Sequence, residues 1–598
     1  MKRIYYILIA VVMISTIACK KDFMNLQPLD KYSDEAVWKD PALVQTFVNN
    51  IYLGIPHGFS NIMMSSLVDE TMYNADFGTS NVTNSLITPS DLSIFEESYW
   101  TGNRQRLMNW SMVYKFVRSA NLFFEKIEGV PFDNIATKNR MKGEVYFLRA
   151  YLYHDLVSMY GGVPIIKKAY GLNDDFNVPR DSYDDCIKFI VSDLDSAATL
   201  LPLSYSGADI GRATKGAALA LKSRVLLYAA SDLYNSNGSW AGGYANKELI
   251  GYTGGDRTAR WQAAKDAAKA VIDLGIYNLY MPNPGSATEA SKNYGDIFLS
   301  RGTSEDIFLR YFTVKIDENW DGYNPGLYNN PNGWHGWGSN TPLGQMIDSY
   351  EMIDGSKFSW GDPIEKATPY QNRDPRFYAS INYDGAKWRP RPSDAAGRDP
   401  VGIVQTGYYE KPDGSLVPGL DTRNSPLEDW NGSYTGYYMR KFIDPSINAQ
   451  YDKQDLPWRY IRYTEIILNY AEACLGLGQE AEAKTYINMI RKRAGMPDIT
   501  DAGQALIDRY RNERKIELAF EDQRYFDVRR WMIAPDAYTD AEGVSIRYQA
   551  DANGNPISAP TYSIIDVQSR AWNPRFYFLP IKLDEMNRNN KLIQNPLY

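Results

Sequence analysis

Cysteine and histidine are almost missing: the 598 residues contain three of each. The histidines stand at 57, 154 and 335 and the cysteines at 19, 186 and 474, without any cluster of the two types. A zinc site has almost no donors to draw on, and no metal is expected. Cys186 and Cys474 lie among apolar neighbours in amphipathic helical patterns. Two such cysteines make no disulfide framework and are expected as buried free thiols. Dense basic tracts are lacking too, and the net charge is -8, which argues against nucleic acid as a partner. There is no P-loop, no glycine fingerprint opening a helix after a strand and no HExxH, so no cofactor is expected. The nearest approach to a nucleophile elbow, Asn431-Gly432-Ser433-Tyr434, has no strand before it. Carboxylates can be nominated as Asp69 with Glu70, Glu96 with Glu97, or Asp374, but among 72 acidic residues such nominations carry little weight. A glycoside hydrolase would need two of them about 5 to 10 Å apart in a cleft. The chain reads as a non-enzyme.

What is present begins at the N-terminus. MKR supplies positive charge, IYYILIAVVMIST is an apolar run short of a comfortable membrane span, and IAC follows. Residues 1–18 read as an export signal. A cysteine directly after a small residue at the end of such a core resembles the lipobox of bacterial lipoproteins, which makes Cys19 the expected acylated N-terminus of the mature chain. Thr16 departs from the leucine usual three residues earlier. No later stretch reaches transmembrane length.

From Arg104 to Asn235, apolar residues recur at helical spacing in long segments separated by Gly, Pro and Asp/Asn breaks. RQRLMNWSMVYKFVRSANLFFEKI pairs with TKNRMKGEVYFLRAYLYHDLVSMY, which stops at Gly161-Gly162-Val163-Pro164. YDDCIKFIVSDLDSAATLLP and RATKGAALALKSRVLLYAASDLY supply a second pair, and the alanine-rich WQAAKDAAKAVIDLGIYNL a further helix. Residues 285–455 are irregular and too long for an ordinary connection. Periodicity returns at Arg459. Tyr463, Ile467, Tyr470 and Cys474 share one face before a GLGQ turn, and Ala483, Ile487 and Ile490 face back, a hairpin that resembles a tetratricopeptide unit. The expected division is a region of helix pairs at 19–235, a loop-rich insertion at 236–455 and a helical region at 456–598. The expected fold class is mainly α, a tetratricopeptide-like scaffold of helical pairs with long irregular insertions. In the charged run from Arg509 to Trp531, Glu513, Glu517 and Glu521 fall four residues apart and read as ion pairs that stabilise a helix and lace adjacent helices together, not as an acid/base array.

Aromatic residues make up 14% of the chain, 45 of them tyrosines. The stretch PNGWHGWGSNTP, from Pro331 to Pro342, places two indoles where neither helix nor strand is expected. A sugar ring has an apolar face and a rim of hydroxyls, so its receptor needs aromatic platforms beside amide, carboxylate or guanidinium groups. The irregular stretch offers Trp320, Tyr328, Asn332, Trp334 and Trp337 as candidates; a segment nearer the N-terminus offers Tyr73, Asp76, Trp100 and Arg104. His335 reads as a local packing or hydrogen-bonding residue.

Five blocks carry a family resemblance: GEVYFLRAYLYHDLVSMYGGVP, TKGAALALKSRVLLYAA, YTEIILNYAEACLGLGQEAEAKTYINMIRKRAGMP, ERKIELAFEDQRYFDVRRW and FYFLPIKLDEMNRNNKLIQNPLY. Together they resemble the SusD/RagB family over nearly the whole chain. The resemblance implies a lipid-anchored outer-membrane protein of Bacteroidetes-type bacteria, built on four tetratricopeptide-like helix pairs. It also implies a SusC-like TonB-dependent transporter as partner and an oligosaccharide, or alternatively a peptide, as ligand. The two ring-bearing segments resemble the loop regions that build the family's ligand platform, and the charged CKKD resembles its surface-export signals.

Overall fold

The computed structural model describes residues 34–96, 108–171, 173–312 and 324–598. The export signal, Cys19, Glu97, Trp100, Arg104 and Trp320 lie outside the described residues. The helices that organise the fold are α1 (Pro41–Tyr52), α2 (Trp110–Lys126), α3 (Ile135–Tyr160), α4 (Tyr183–Leu200), α5 (Lys215–Ala230), α6 (Arg257–Ile272), α7 (Ala287–Leu299), α8 (Tyr463–Gly476), α9 (Glu480–Arg493), α10 (Gly503–Glu517) and α11 (Arg524–Arg530). The main strands are β1 (Thr71–Tyr73), β2 (Asp306–Arg310), β3 (Asn340–Pro342), β4 (Tyr408–Glu410), β5 (Leu416–Pro418), β6 (Trp458–Arg462), β7 (Ala541–Gln549) and β8 (Thr561–Gln568). Helix dominates, as expected.

Short polar residues start the long helices. Asn109, Asn134, Ser182, Thr214, Asp256 and Ser286 each accept a hydrogen bond from a backbone N–H in the first turn of α2 to α7. These N–H groups have no partner within the helix, so each cap fixes a start. Gly161 ends α3 at φ +76, where the sequence places a stop.

Successive helices α2 to α6 pack side by side, and α8 then packs on α6 and α5, with α9 on α8. Helix α6, which lies within the stretch 236–455, is therefore a member of the stack. The chain leaves the stack after α6 and returns at α8 nearly two hundred residues later. A β2–β6 antiparallel ladder ties the base of this excursion, pairing Asp306 with Arg462 and Arg310 with Trp458. Small residues permit the α6–α8 contact: Ala264 and Ala473 share a cluster with Trp261, and a Cβ on Gly476 would collide with the Trp261 ring. The excursion also supplies β4 and β5, which join β7 and β8 in a four-stranded sheet of order β8-β7-β4-β5.

Cys186 and Cys474 are buried free thiols, as expected. The Arg509–Trp531 run laces separate elements together, as expected of a scaffold segment. Glu513 meets Arg376 (2.5 Å) and Arg491 (2.9 Å), Glu517 meets Arg462 (2.8 Å) and Arg493, and Glu521 meets Lys441 and Arg462 (both 2.8 Å). These carboxylates point into the layer between elements, so their partners come from other segments and are themselves buried. Buried charges persist only when paired in this way.

Candidate ligand-binding site

The two ring-bearing segments meet. β1 runs antiparallel to β3, with Thr71 opposite Pro342, Met72 opposite Thr341 and Tyr73 opposite Asn340. The next residue, Asn74, donates its backbone N–H to the Ser339 carbonyl at 2.9 Å and its side-chain amide to the carbonyls of Gly338 (2.6 Å) and Gly432 (3.3 Å). A third loop, residues 421–438, is thus held at the same junction. Gly338 adopts φ +50, and a Cβ there would lie 2.6 Å from the Asn431 carbonyl oxygen, so the approach of these loops depends on glycine. Beneath them Asn340 is fully engaged: its side-chain oxygen accepts from Met63 N–H and Ser66 Oγ, and its amide donates to the Asn61 carbonyl and Asn329 Oδ1. The floor is rigid.

Rings remain exposed on these loops. Trp430 is 63% exposed, Phe77 52% and Tyr434 40%, while Trp337 is half-buried against Tyr328 with ring centroids 5.4 Å apart. Arg423 lies over the Tyr434 ring at 3.9 Å and donates through Nη1 to the carbonyls of Trp430 (3.3 Å) and Gly432 (3.1 Å). One side chain therefore stacks on the first ring and holds the loop of the second. Exposed rings on adjoining loops are the kind of apolar surface that binding sites present.

Four of the sequence candidates belong instead to the interior. Trp334 is 3% exposed, packs with Ala386, Trp388, Val404 and Ile443, and donates its indole N–H to the carbonyls of Arg389 and Pro390 at 3.2 Å. The Arg391 guanidinium, itself held by Asp399 and Asp421, covers its ring at 3.5 Å. Asn332 is buried, donating to the carbonyls of Thr422 and Glu428 and accepting from the Tyr438 hydroxyl. Tyr328 and Tyr73 are buried as well, and burial pushes the Tyr73 phenol up to about 12. The reasons differ: Trp334 joins a satellite core that the insertion builds for itself, while Tyr73 packs into the main core. Asp76 is exposed, but its carboxylate accepts from Thr79 Oγ1, Ser80 N–H and Ser80 Oγ and so caps a turn. His335, at φ +57, bonds not a sequence neighbour but Asp394, 59 residues along the chain. Sequence reasoning passed over Phe77, Arg423, Trp430 and Tyr434. The available signal was EDWNGSYTGYY, which mixes rings with Asn and Gly just as NGWHGW does.

The nominated carboxylates have scaffold partners. Burial pushes Asp69 up, but Arg524 (2.8 Å) and Lys515 (3.0 Å) more than offset it and hold the group well below the carboxylate range. Glu70 accepts from Phe520 N–H at 2.9 Å and is pushed up to about 8 by burial. Asp374 pairs with Arg376 at 2.7 Å and Glu96 with Lys582 at 3.3 Å. Among the described residues no group of three or more His, Cys, Asp or Glu could hold a metal, and no helix is long and apolar enough to cross a membrane.

Residues 304–598 match the family model described as SusD family, and residues 27–227 match one described as starch-binding associating with outer membrane. A SusD-like protein of Formosa agariphila is 23% identical over 526 residues, 85% of this chain and 87% of its own. Among solved structures, a SusD-like protein from Bacteroides fragilis superposes with a TM-score of 0.74 at 29% identity, covering 96% of this chain and all of that one. Surface glycan-binding protein A from Bacteroides thetaiotaomicron, solved in complex with laminarihexaose, superposes with a TM-score of 0.60 at 18% identity, over 94% of this chain and all of that one.

Proposed function

The chain belongs to the SusD family, and from that membership we propose that it is a surface lipoprotein that binds an oligosaccharide and passes it to a TonB-dependent outer-membrane transporter. The observation that carries the binding reading is the junction at Asn74, where three interlocked loops bear Phe77, Trp337, Trp430 and Tyr434. A fixed ring array costs little to order when a ligand arrives, so stacking against sugar C–H faces is retained as affinity. Arg423 lies over the Tyr434 ring and supplies N–H donors for the hydroxyl rim. Cleavage is not part of the reading, since each described carboxylate candidate already serves the scaffold. Cys19 supplies the lipid anchor.

An array of immobilised oligosaccharides probed with the purified protein tests the reading: a defined neutral or acidic glycan class should be retained without release of shorter products. Failure to retain any glycan, or appearance of cleaved ends, would sink it. Cys19→Ala should move the protein from the membrane fraction to the soluble one.

A further inference from the structure

Helix α7 and residues 440–445 enclose a cleft of about 540 Å³, a size in the range that accepts small-molecule ligands. Phe298, Phe442 and Ile443 give it apolar walls, and Tyr378 and Trp388 add ring surface. Trp388 belongs to the satellite core around Trp334 and donates its indole N–H to Asn330 Oδ1 at 3.1 Å, so the ring is positioned before anything binds. Arg440 lies over that ring, its guanidinium 4.9 Å from the centroid. Among the described residues its guanidinium makes one hydrogen bond, from Nη1 to the Lys387 carbonyl at 3.1 Å.

Buried arginines elsewhere in the chain have their donors taken up, either by carboxylates, as at Arg391 (Asp399 and Asp421) and Arg462 (Glu305, Glu517 and Glu521), or by carbonyls, as at Arg373 (Pro369, Ile347 and Tyr350). Arg440 is half-buried and has no carboxylate partner among the described residues, and its burial holds the guanidinium below its usual basicity. The neighbouring charges are already neutralised. Lys292 pairs with Asp296 at 2.5 Å, and the Lys441 ammonium donates to the Tyr294 hydroxyl, the Ala519 carbonyl and Glu521. A half-buried guanidinium with N–H groups left over beside an apolar cleft is placed to take up an anion there.

We propose that this cleft is a second binding site, taking an acidic sugar whose carboxylate pairs with Arg440 and whose ring packs on the aromatic walls. The sugar identity rests on the glycan-binding reading above; the demand for a carboxylate rests on Arg440. A guanidinium presents its donors in a planar fork that fits a carboxylate, which separates an acidic unit from a neutral one of the same shape.

The test is calorimetric titration of the purified protein with trigalacturonate and with its carboxyl-reduced counterpart. The acid should bind about tenfold more tightly or better, with a preference that weakens in high salt. Arg440→Gln should abolish the preference, Arg440→Lys should keep part of it, and Trp430→Ala combined with Tyr434→Ala should leave it in place. Equal affinity for the two trimers, an undiminished preference in Arg440→Gln, or no binding of the acid would overturn the proposal. The wild-type comparison stands even where a variant folds poorly. Retention of a neutral glycan on the array together with no acid preference removes only this second site.

Discussion

The Asn74 side-chain amide donates to the Gly338 carbonyl at 2.6 Å, joining residues 264 positions apart at the junction of two of the loops that carry exposed rings. The same amide reaches Gly432 at 3.3 Å, so one short polar side chain fixes three loops. This division of labour separates residues that shape the platform from residues that contact a ligand, and the two groups respond differently to substitution.

Trp430→Ala and Tyr434→Ala each remove an exposed ring. Each is expected to weaken binding of the glycan identified on the array by on the order of 1–2 kcal/mol. The melting temperature should stay near wild type, because little packing is lost. Calorimetric titration beside a thermal melt checks both; a large fall in melting temperature with unchanged affinity would assign these rings to folding.

Trp334→Ala should behave in the opposite way. It empties a site enclosed by Trp388, Val404 and Ile443 and leaves the Arg391 guanidinium without its ring. A loss of about 3–5 kcal/mol of stability is expected from such a truncation. Urea unfolding measures it, and a loss below about 1 kcal/mol would show that Trp334 is not a core residue.

These contrasts show what the sequence made legible. Helix starts and the Gly161 stop follow from local chemistry, and the small residues of α6 and α8 are of a kind that permits close packing. The α6–α8 contact itself is not local: nothing in the alanine spacing says that a helix after residue 456 will be the partner. Glu513 and Glu517 illustrate the same limit, since four-residue spacing suggests neighbours on one helix while Arg376 lies well over a hundred residues away. In the insertion no periodicity distinguishes inside from outside. Trp334 and Trp337, three residues apart with glycine between, therefore looked equivalent, yet one is buried and the other half-exposed.

Glu70 gives a pH dependence. Burial, with a contribution from the Asp69 charge, raises its carboxyl from 4.5 to about 8, although the Phe520 N–H opposes the shift. Between those values the folded chain keeps a proton that the unfolded chain has released, so this group makes stability fall as pH rises through that window. Glu70→Gln keeps an acceptor for the Phe520 N–H and removes the titration. It should gain stability relative to wild type at pH 8, by on the order of 1–3 kcal/mol, and little at pH 4. Urea midpoints across that range check it; parallel curves for the two proteins would refute the assignment.

Glu472 provides the opposite sign. Its carboxylate accepts from Arg530 Nη1 (2.5 Å) and Nη2 (2.7 Å), Trp531 Nε1 (2.7 Å) and the Tyr510 hydroxyl (2.8 Å). Burial alone would raise it, but Arg530 more than offsets that and holds it near 2 instead of 4.5. The folded state therefore favours the ionised form, and the resulting stability is present above about 4.5 and lost as pH falls toward 2. Glu472→Gln leaves Arg530 with Asp527 as its carboxylate partner at 2.8 Å. A loss of about 3–5 kcal/mol at neutral pH is expected, because the guanidinium stays buried with half its charge complement gone. The loss should shrink in acid, where the wild-type carboxylate takes up its proton. A deficit that is the same at pH 7 and in acid would mean that the side chain acts through packing and not through its charge.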